Sequence, residues 1–286
     1  MNKKFDKTIV MGLIILFFGA SATLNLNAIE NKDMNNPVSM PPNWYETFDV
    51  YEDGQVIDGT PDDGGWEAWD QDPTFAGFIT SDVYLTPPHS LYVAEVTDVI
   101  QQFEGYNSGV WNFSAWVFIP DDFEGQAFFI ILDTYYHGGG QEGNHWAAQI
   151  SMDSFSETVI AQWDNWELPL VFGEWAHFLA IIDLDTDYYE MYYEDELLEY
   201  KEWTAGPGND YAGILEIQCL DCFSAGGTGF YYDDLAFRAY GSPPEPDLSA
   251  AGEINFINVT AGSTNTGIIT LTNAGSAGST LNWDIE

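Results

Sequence analysis

Basic residues are nearly absent from this chain. Its 286 residues include six Lys and Arg against 46 Asp and Glu, a formal net charge of −40. Nucleic acid and anionic lipid are repelled by such a surface, so neither is expected as a partner. Cysteine is almost as scarce, with only Cys219 and Cys222. A zinc ribbon would need a second pair. If residues 215–223 form one extended strand, the two sulfurs face opposite sides with their Cα atoms about 10 Å apart, too far for a bridge. Two free, buried thiols are the expectation, with a local disulfide at a bulge as the alternative. No heptads, no useful helical apolar stripe and no repeat of about 20–50 residues are present. The one long apolar run, Ile9 to Phe18, falls short of the ~20 residues of a membrane span.

That run has a different use. Lys3, Lys4 and Lys7 precede it and Ala20-Ser21-Ala22 follows it, the order of a bacterial export leader, so residues 1–22 are expected to be a signal peptide. An uncleaved N-terminal anchor is the alternative. The mature protein is expected to be secreted or at the cell surface, with no membrane segment of its own. Only Lys32, Lys201 and Arg238 then remain as bases, and the charge becomes about −42. This suits solubility in salty water and also the binding of divalent cations.

Aromatic residues are plentiful, at 16% of the chain, and lie in short segments separated by Gly, Pro, Asn and Asp. An all-β sandwich with many turns has this composition. Residues 23–42 read as a linker with Pro37, Pro41 and Pro42, followed by strands at 44–50, 90–96, 109–119, 127–132, 146–152 and 230–237. Residues 171–203 are the organising stretch. Trp175, His177, Leu179 and Ile181 alternate with Ala176, Phe178, Ala180 and Ile182, both faces apolar, as in a strand inside a sandwich. Tyr188–Tyr193 and Leu197–Tyr200 complete a hairpin turned at Glu194-Asp195. A Pro-rich linker at 241–248 precedes three further strands within 249–286.

The order Gly-x-Trp-x-His, apolar strand, Asp-x-Asp, Tyr-Tyr, short turn, Leu-Leu, Trp across 173–203 resembles the laminin-G and concanavalin A-like lectin jelly rolls of secreted bacterial proteins. The opening Phe48-Asp49-x-Tyr51-x-x-Gly54 and the segment Gly65-Trp66-Glu67-Ala68-Trp69 extend the resemblance over 43–240. Those lectins usually place Asp-Gly or Asn-Gly at the hairpin tip, where positive φ is needed; Glu194-Asp195 departs from that pattern. Thr270 to Asn273, Gly275 and Leu281-x-Trp283 resemble the start of a bacterial immunoglobulin-like module, truncated here, which implies further domains of the same polypeptide.

The resemblance implies an antiparallel jelly-roll β-sandwich whose first and last strands pair. Phe48-Asp49 would then lie beside Tyr232-Asp233, bringing Asp49, Glu52, Asp233 and Asp234 together as ligands for a structural calcium, which takes six to eight oxygens. Capping of strand-end amides, or simple exposure to water, is the other reading of Asp233 and Asp234. Asp183, Asp185 and Asp187 are followed by Glu194 at the twelfth position of a calcium loop but by Tyr188 where that loop needs Gly, and read as a solvated turn.

Glycosidases of the laminarinase-like family carry Glu-x-Asp-x-x-Glu on one strand. The nearest match, Glu216-Ile217-Gln218-Cys219-Leu220-Asp221, keeps one acid of three. No catalytic residue is therefore assigned. Glycan binding is favoured, because exposed aromatic rings stack on sugars while Asp, Asn and His bond their hydroxyls. Its candidates are Trp66, Trp69, Tyr135, Tyr136, His137, His145 and Trp146. The expectation is an exported glycan-binding or adhesion module that recognises a polysaccharide or cell-surface glycan. A hydrolase or lyase of the same fold, or a passive spacer, are the alternatives.

Overall fold

A computed structural model describes residues 43–162, 166–206 and 213–241, together with short strands at 248–251 and 270–273. In chain order the strands begin with β1 (Trp44–Glu46), β2 (Val56–Ile57), β3 (Trp66–Ala68), β4 (Gly77–Thr80), β5 (Ser90–Val93), β6 (Asp98–Tyr106), β7 (Val110–Phe118) and β8 (Gly125–Thr134). They continue with β9 (His145–Asp153), β10 (Thr158–Ala161), β11 (Trp166–Pro169), β12 (Trp175–Asp183), β13 (Tyr188–Tyr193), β14 (Glu196–Lys201), β15 (Ile217–Gly227) and β16 (Phe230–Ala239). β17 (Leu248–Ala251) pairs with β18 (Thr270–Asn273). The expected leader, the expected first linker and most of the segment expected to be immunoglobulin-like lie outside the described residues.

Two antiparallel sheets form an all-β jelly-roll sandwich. One has nine strands in the order β14-β13-β12-β7-β16-β5-β4-β2, with β1 also on β16; the other has seven, β11-β10-β9-β8-β15-β6-β3. Strict alternation drives this. On β7, Trp111, Phe113, Ala115 and Val117 are buried while Asn112, Ser114, Trp116 and Phe118 are half-buried. β12 repeats the pattern, with Ala176, Phe178, Ala180 and Ile182 inward. The two inner faces meet in one apolar core, where Phe178 of one sheet stacks on Phe129 of the other at 5.3 Å and 1°. Tyr232 crosses the same core to donate its hydroxyl to the Phe128 carbonyl at 2.9 Å.

The first and last strands do pair, in a register that differs from the expected one. Trp44, Tyr45 and Glu46 face Phe237, Ala236 and Leu235. The chain then leaves the sheet at Phe48, whose φ is 58°. The edge of β16 opposite Phe230, Tyr231 and Tyr232 belongs to β5, so Asp49 does not pair with Tyr232. Between these two partners β16 bulges, with Asp234 at a φ of 47°. Asp233 Oδ2 fills the gap by accepting from the backbone N–H groups of Leu85 (2.7 Å) and Thr86 (3.1 Å).

The hairpin tip holds its two-residue turn without glycine. Glu194 and Asp195 have φ of 50° and 61°, the positive pair of a type I′ turn. Glu194 is anchored to β12 from both ends, its N–H donating to the His177 carbonyl (3.0 Å) and its Oε1 accepting from the His177 N–H (2.6 Å). Cys219 and Cys222 are free and buried, one in the outer apolar cluster and one in the core.

Candidate functional site

The outer face of the seven-stranded sheet carries most of the unusual chemistry. Cross-strand register aligns Glu67, Ile100, Asp221, Ile130 and Gln149 in one row across β3, β6, β15, β8 and β9. A second row holds Gln102, Cys219, Leu132 and Trp146, and a third holds Asp98, Phe223, Phe128, Ser151 and Ile160. Ile100, Phe128, Ile130, Leu132, Tyr135 and Cys219 form a buried cluster there, with Trp69, Trp146 and Phe223 packed on it.

Two loops fold over this cluster and are tied to each other. Trp69 meets Tyr135 edge-on at 5.0 Å and lies parallel to Trp146, with ring centres 6.4 Å apart and 10° between planes. Asp70 N donates to the Tyr135 hydroxyl oxygen at 3.3 Å, and Gly138 N donates to Asp70 Oδ1 at 2.6 Å. Beside the tryptophans, Glu67 collects Gln71 (3.2 Å), Gln102, and His137 Nε2 at 3.4 Å. Tyr136 is 61% exposed and the His137 side chain 42%, so this end of the face opens to solvent.

A second polar pair sits nearby. His145 Nδ1 lies 2.8 Å from Asp133 Oδ2, which also accepts from Ile214 N at 2.9 Å. A Cβ at Gly213 would stand 2.0 Å from that same Asp133 oxygen, so only glycine allows the chain this close. Among the described residues, His145 Nε2 and Asp133 Oδ1 are buried without a partner.

The third feature is an acid pair. Asp98 on β6 and Asp221 on β15 hydrogen-bond to each other. Burial pushes Asp98 up to about 7, with the charge of Asp70 adding to the rise and the bond from Asp221 opposing it. Burial, followed by the Asp98 charge and the bond to it, holds Asp221 well above the carboxylate range. Among the described residues, no conventional donor reaches Asp98 Oδ1 or Asp221 Oδ1. A proton retained on Asp221 lets one carboxyl donate to the other.

Of the expected ligand-contacting residues, the structure brings Trp69, Tyr135, Tyr136, His137 and Trp146 to this face, whereas His145 pairs with Thr134 and is held by Asp133 beside Gly206 and Gly213. Trp66 is corrected: it is 1% exposed in the core, packed on Phe48, with its indole donating to Glu46 Oε2 at 3.1 Å. Its place on β3 points it inward, whereas its neighbour Glu67 points out. Tyr135, 6% exposed, supports Trp69 from beneath. Sequence reading missed Glu67, Asp98, Gln102 and Asp221 as members of the face, and Asp133 as the buried partner of His145. Asp98, Val99, Ile100, Gln101 and Gln102 do not alternate between polar and apolar, so β6 gave no period-two signal that would place Asp98 and Gln102 on one face.

The four proposed calcium ligands do not converge. Both oxygens of Asp233 accept backbone N–H groups, Oδ1 from Asp234 at 2.8 Å, and Asp234 Oδ1 accepts from the Thr86 hydroxyl at 2.6 Å. Asp49 and Glu52 are exposed on the turn after Phe48. Among the described residues no group of three or more His, Cys, Asp and Glu is arranged to hold a metal ion, so these residues do not fit the oxygen cage calcium requires. The Asp183–Asp187 turn is likewise occupied by protein donors, including Gly109 N on Asp185 (2.8 Å) and Thr204 N on Asp187 (2.9 Å).

No protein-family model matches the chain, and no curated protein sequence does. Among solved structures, neighbours include sialidases and carbohydrate-binding proteins. A sialidase is 9% identical with a TM-score of 0.43, covering 62% of this chain and 17% of its own. The cellulose induced protein Cip1 is 14% identical with a TM-score of 0.42, covering 68% and 96%. The carbohydrate binding module CBM66 from Bacillus subtilis is 9% identical with a TM-score of 0.38, covering 61% and 96%. The chain thus spans about a sixth of the sialidase's length.

Proposed function

We propose that this chain is an exported, non-catalytic glycan-binding module of a larger secreted or surface protein, and that the glycan sits against the outer face of the seven-stranded sheet. The observation that carries the reading is the parallel Trp69–Trp146 pair beside the Glu67–Gln71–Gln102–His137 network. Indole faces match the apolar side of a pyranose, and a carboxylate with two amides and an imidazole offers both acceptors and donors to its hydroxyls. The deficit of positive charge favours a neutral glycan over an acidic one. Export rests on the leader at residues 1–22.

The acid pair gives the enzymatic alternative its one specific support. Glycoside cleavage uses carboxyls about 5–5.5 Å apart in retaining enzymes and about 6.5–9.5 Å apart in inverting ones. Asp98 and Asp221 bond directly to each other and lie under the cluster, with Asp221 only 3% exposed. They serve the fold rather than a scissile bond. Affinity electrophoresis in gels containing laminarin, xylan, galactomannan or hydroxyethylcellulose tests the reading. Retardation by at least one polymer, weakened by Trp69→Ala and Tyr136→Ala, is expected. No retardation in any of them, or variants indistinguishable from the parent, refutes it.

A further inference from the structure

The opposite face of the molecule carries an aromatic row that the first site does not use. On the nine-stranded sheet, Trp175 of β12 faces Phe118 of β7, Phe118 faces Tyr231 of β16, and Tyr231 faces Tyr92 of β5. Tyr92 then faces Phe78 of β4, and Phe78 faces Val56 of β2. Six consecutive strands therefore contribute one large apolar side chain each to a single line. At the usual ~4.8 Å between strands the line is about 24 Å long.

These side chains point away from the core. Their chain neighbours Ala176, Val117, Tyr232, Leu91, Ile79 and Ile57 are buried, whereas Phe78 is 44% exposed and Val56 42%. Trp175, Phe118, Tyr231 and Tyr92 are half-buried against one another, with ring centres 5.6, 6.1 and 5.1 Å apart along the line. On β12 the row accounts for Trp175, an outward aromatic on a strand whose inner face is already buried. At its Val56 end the row enters an open groove of about 660 Å³, lined by Val56, Phe78, Tyr92, Glu95, Thr74 and Thr228 among others.

The surroundings select the occupant. Asp82 and Asp122 are near enough to act on the Tyr231 phenol, and Glu95 stands in the groove. Carboxylates on both flanks repel anions, and a second copy of a chain with net charge −40 is repelled as well. An uncharged ligand with apolar faces and hydroxyl edges satisfies the rings and the acids together. The spacing of the row, one ring per strand, is close to the length of one sugar residue in an extended chain.

We infer that the outer face of the nine-stranded sheet is a second glycan track, on which Trp175, Phe118, Tyr231, Tyr92 and Phe78 stack successive residues of an uncharged polysaccharide and lead it into the groove beside Val56. The ligand class rests on the reading given under Proposed function; the site is separate from the one named there.

The test uses the full chain and the same four polymers, with Trp175→Ala, Phe78→Ala and Trp69→Ala compared. Trp175→Ala and Phe78→Ala are each expected to weaken retardation by a long polymer about tenfold, the loss typical of an aromatic contact residue. Binding of disaccharides should be unchanged, and Phe78→Tyr, which keeps the ring, should behave as the parent. Circular dichroism and the unfolding midpoint verify that each variant is folded. If the row variants match the parent while Trp69→Ala loses binding, the track is overturned and the first site stands. If the row variants lose binding while Trp69→Ala does not, the track stands and the first site falls. Retardation that disappears in ~1 M salt, where the Debye length is about 3 Å, would indicate a charge-driven contact and overturn the inference. So would the absence of retardation by every polymer.

Discussion

Replacing Asp221 by Asn should make the protein relatively more stable as pH rises. In the native fold, burial lifts Asp98 from 3.8 to about 7, and burial beside Asp98 also holds Asp221 well above the carboxylate range. A folded-state pKa above the unfolded value means that the fold prefers the protonated form. The stabilisation from this preference is complete below about pH 3.8 and is lost as pH climbs through about 7. For Asp98 alone the difference amounts to about 4 kcal/mol at 1.36 kcal/mol per unit, and the two acids titrate as a pair. The introduced amide needs no proton of its own, and it would donate to an ionised Asp98. The gap in midpoint between variant and parent should therefore widen in the variant's favour from pH 5 to pH 8. At roughly 2–4 °C per kcal/mol for a domain of this size, the widening is of the order of 10 °C. Thermal unfolding at several pH values in high salt measures it, since salt suppresses the general repulsion among carboxylates. Glu52→Gln, which removes one exposed acid from outside the pair, serves as the control. A gap that stays constant between pH 5 and pH 8, or that matches the control, refutes the shared proton.

Two other expectations follow from the geometry. In saturating salt, millimolar calcium should leave the unfolding midpoint where excess chelator leaves it, because Asp233 and Asp234 are already engaged by protein donors; a chelator-reversible rise abolished by Asp49→Ala would restore the ion to that end of the sheet. Asp195→Gly should raise stability by about 0.5–1 kcal/mol by relieving a side chain held at positive φ, which denaturant titration would detect as a higher midpoint at unchanged slope.

Alternation is readable wherever a strand has one wholly apolar face, as on β7, β12 and β16. It fails where the chain leaves the sheet for steric reasons the sequence does not announce. The pattern carries the first strand to Val50, but Phe48 takes positive φ and ends it early. Trp66 sits in a Gly-rich, acidic stretch that reads as an exposed loop, yet three residues of it pair with β6 and turn the indole inward. Asp221 is visible only as a degenerate catalytic acid, because its partner Asp98 lies on a strand far away in sequence and only sheet register brings the two together. The aromatic row is hidden for the same reason. Each ring belongs to a different strand, and no local pattern shows that six strands align.

The two cysteines offer an internal pair of reporters. Cys219 lies in the cluster on the outer face of β15 and Cys222 in the core beneath the same strand, both fully covered. With no other thiol in the chain, the rate at which an added reagent labels each sulfur clocks a distinct opening event. Labelling at Cys219 reports excursions of the covering loops, and labelling at Cys222 reports separation of the two sheets. A ligand that clamps the loops would slow the first clock far more than the second, so occupancy of that face could be followed without modifying any residue that touches it.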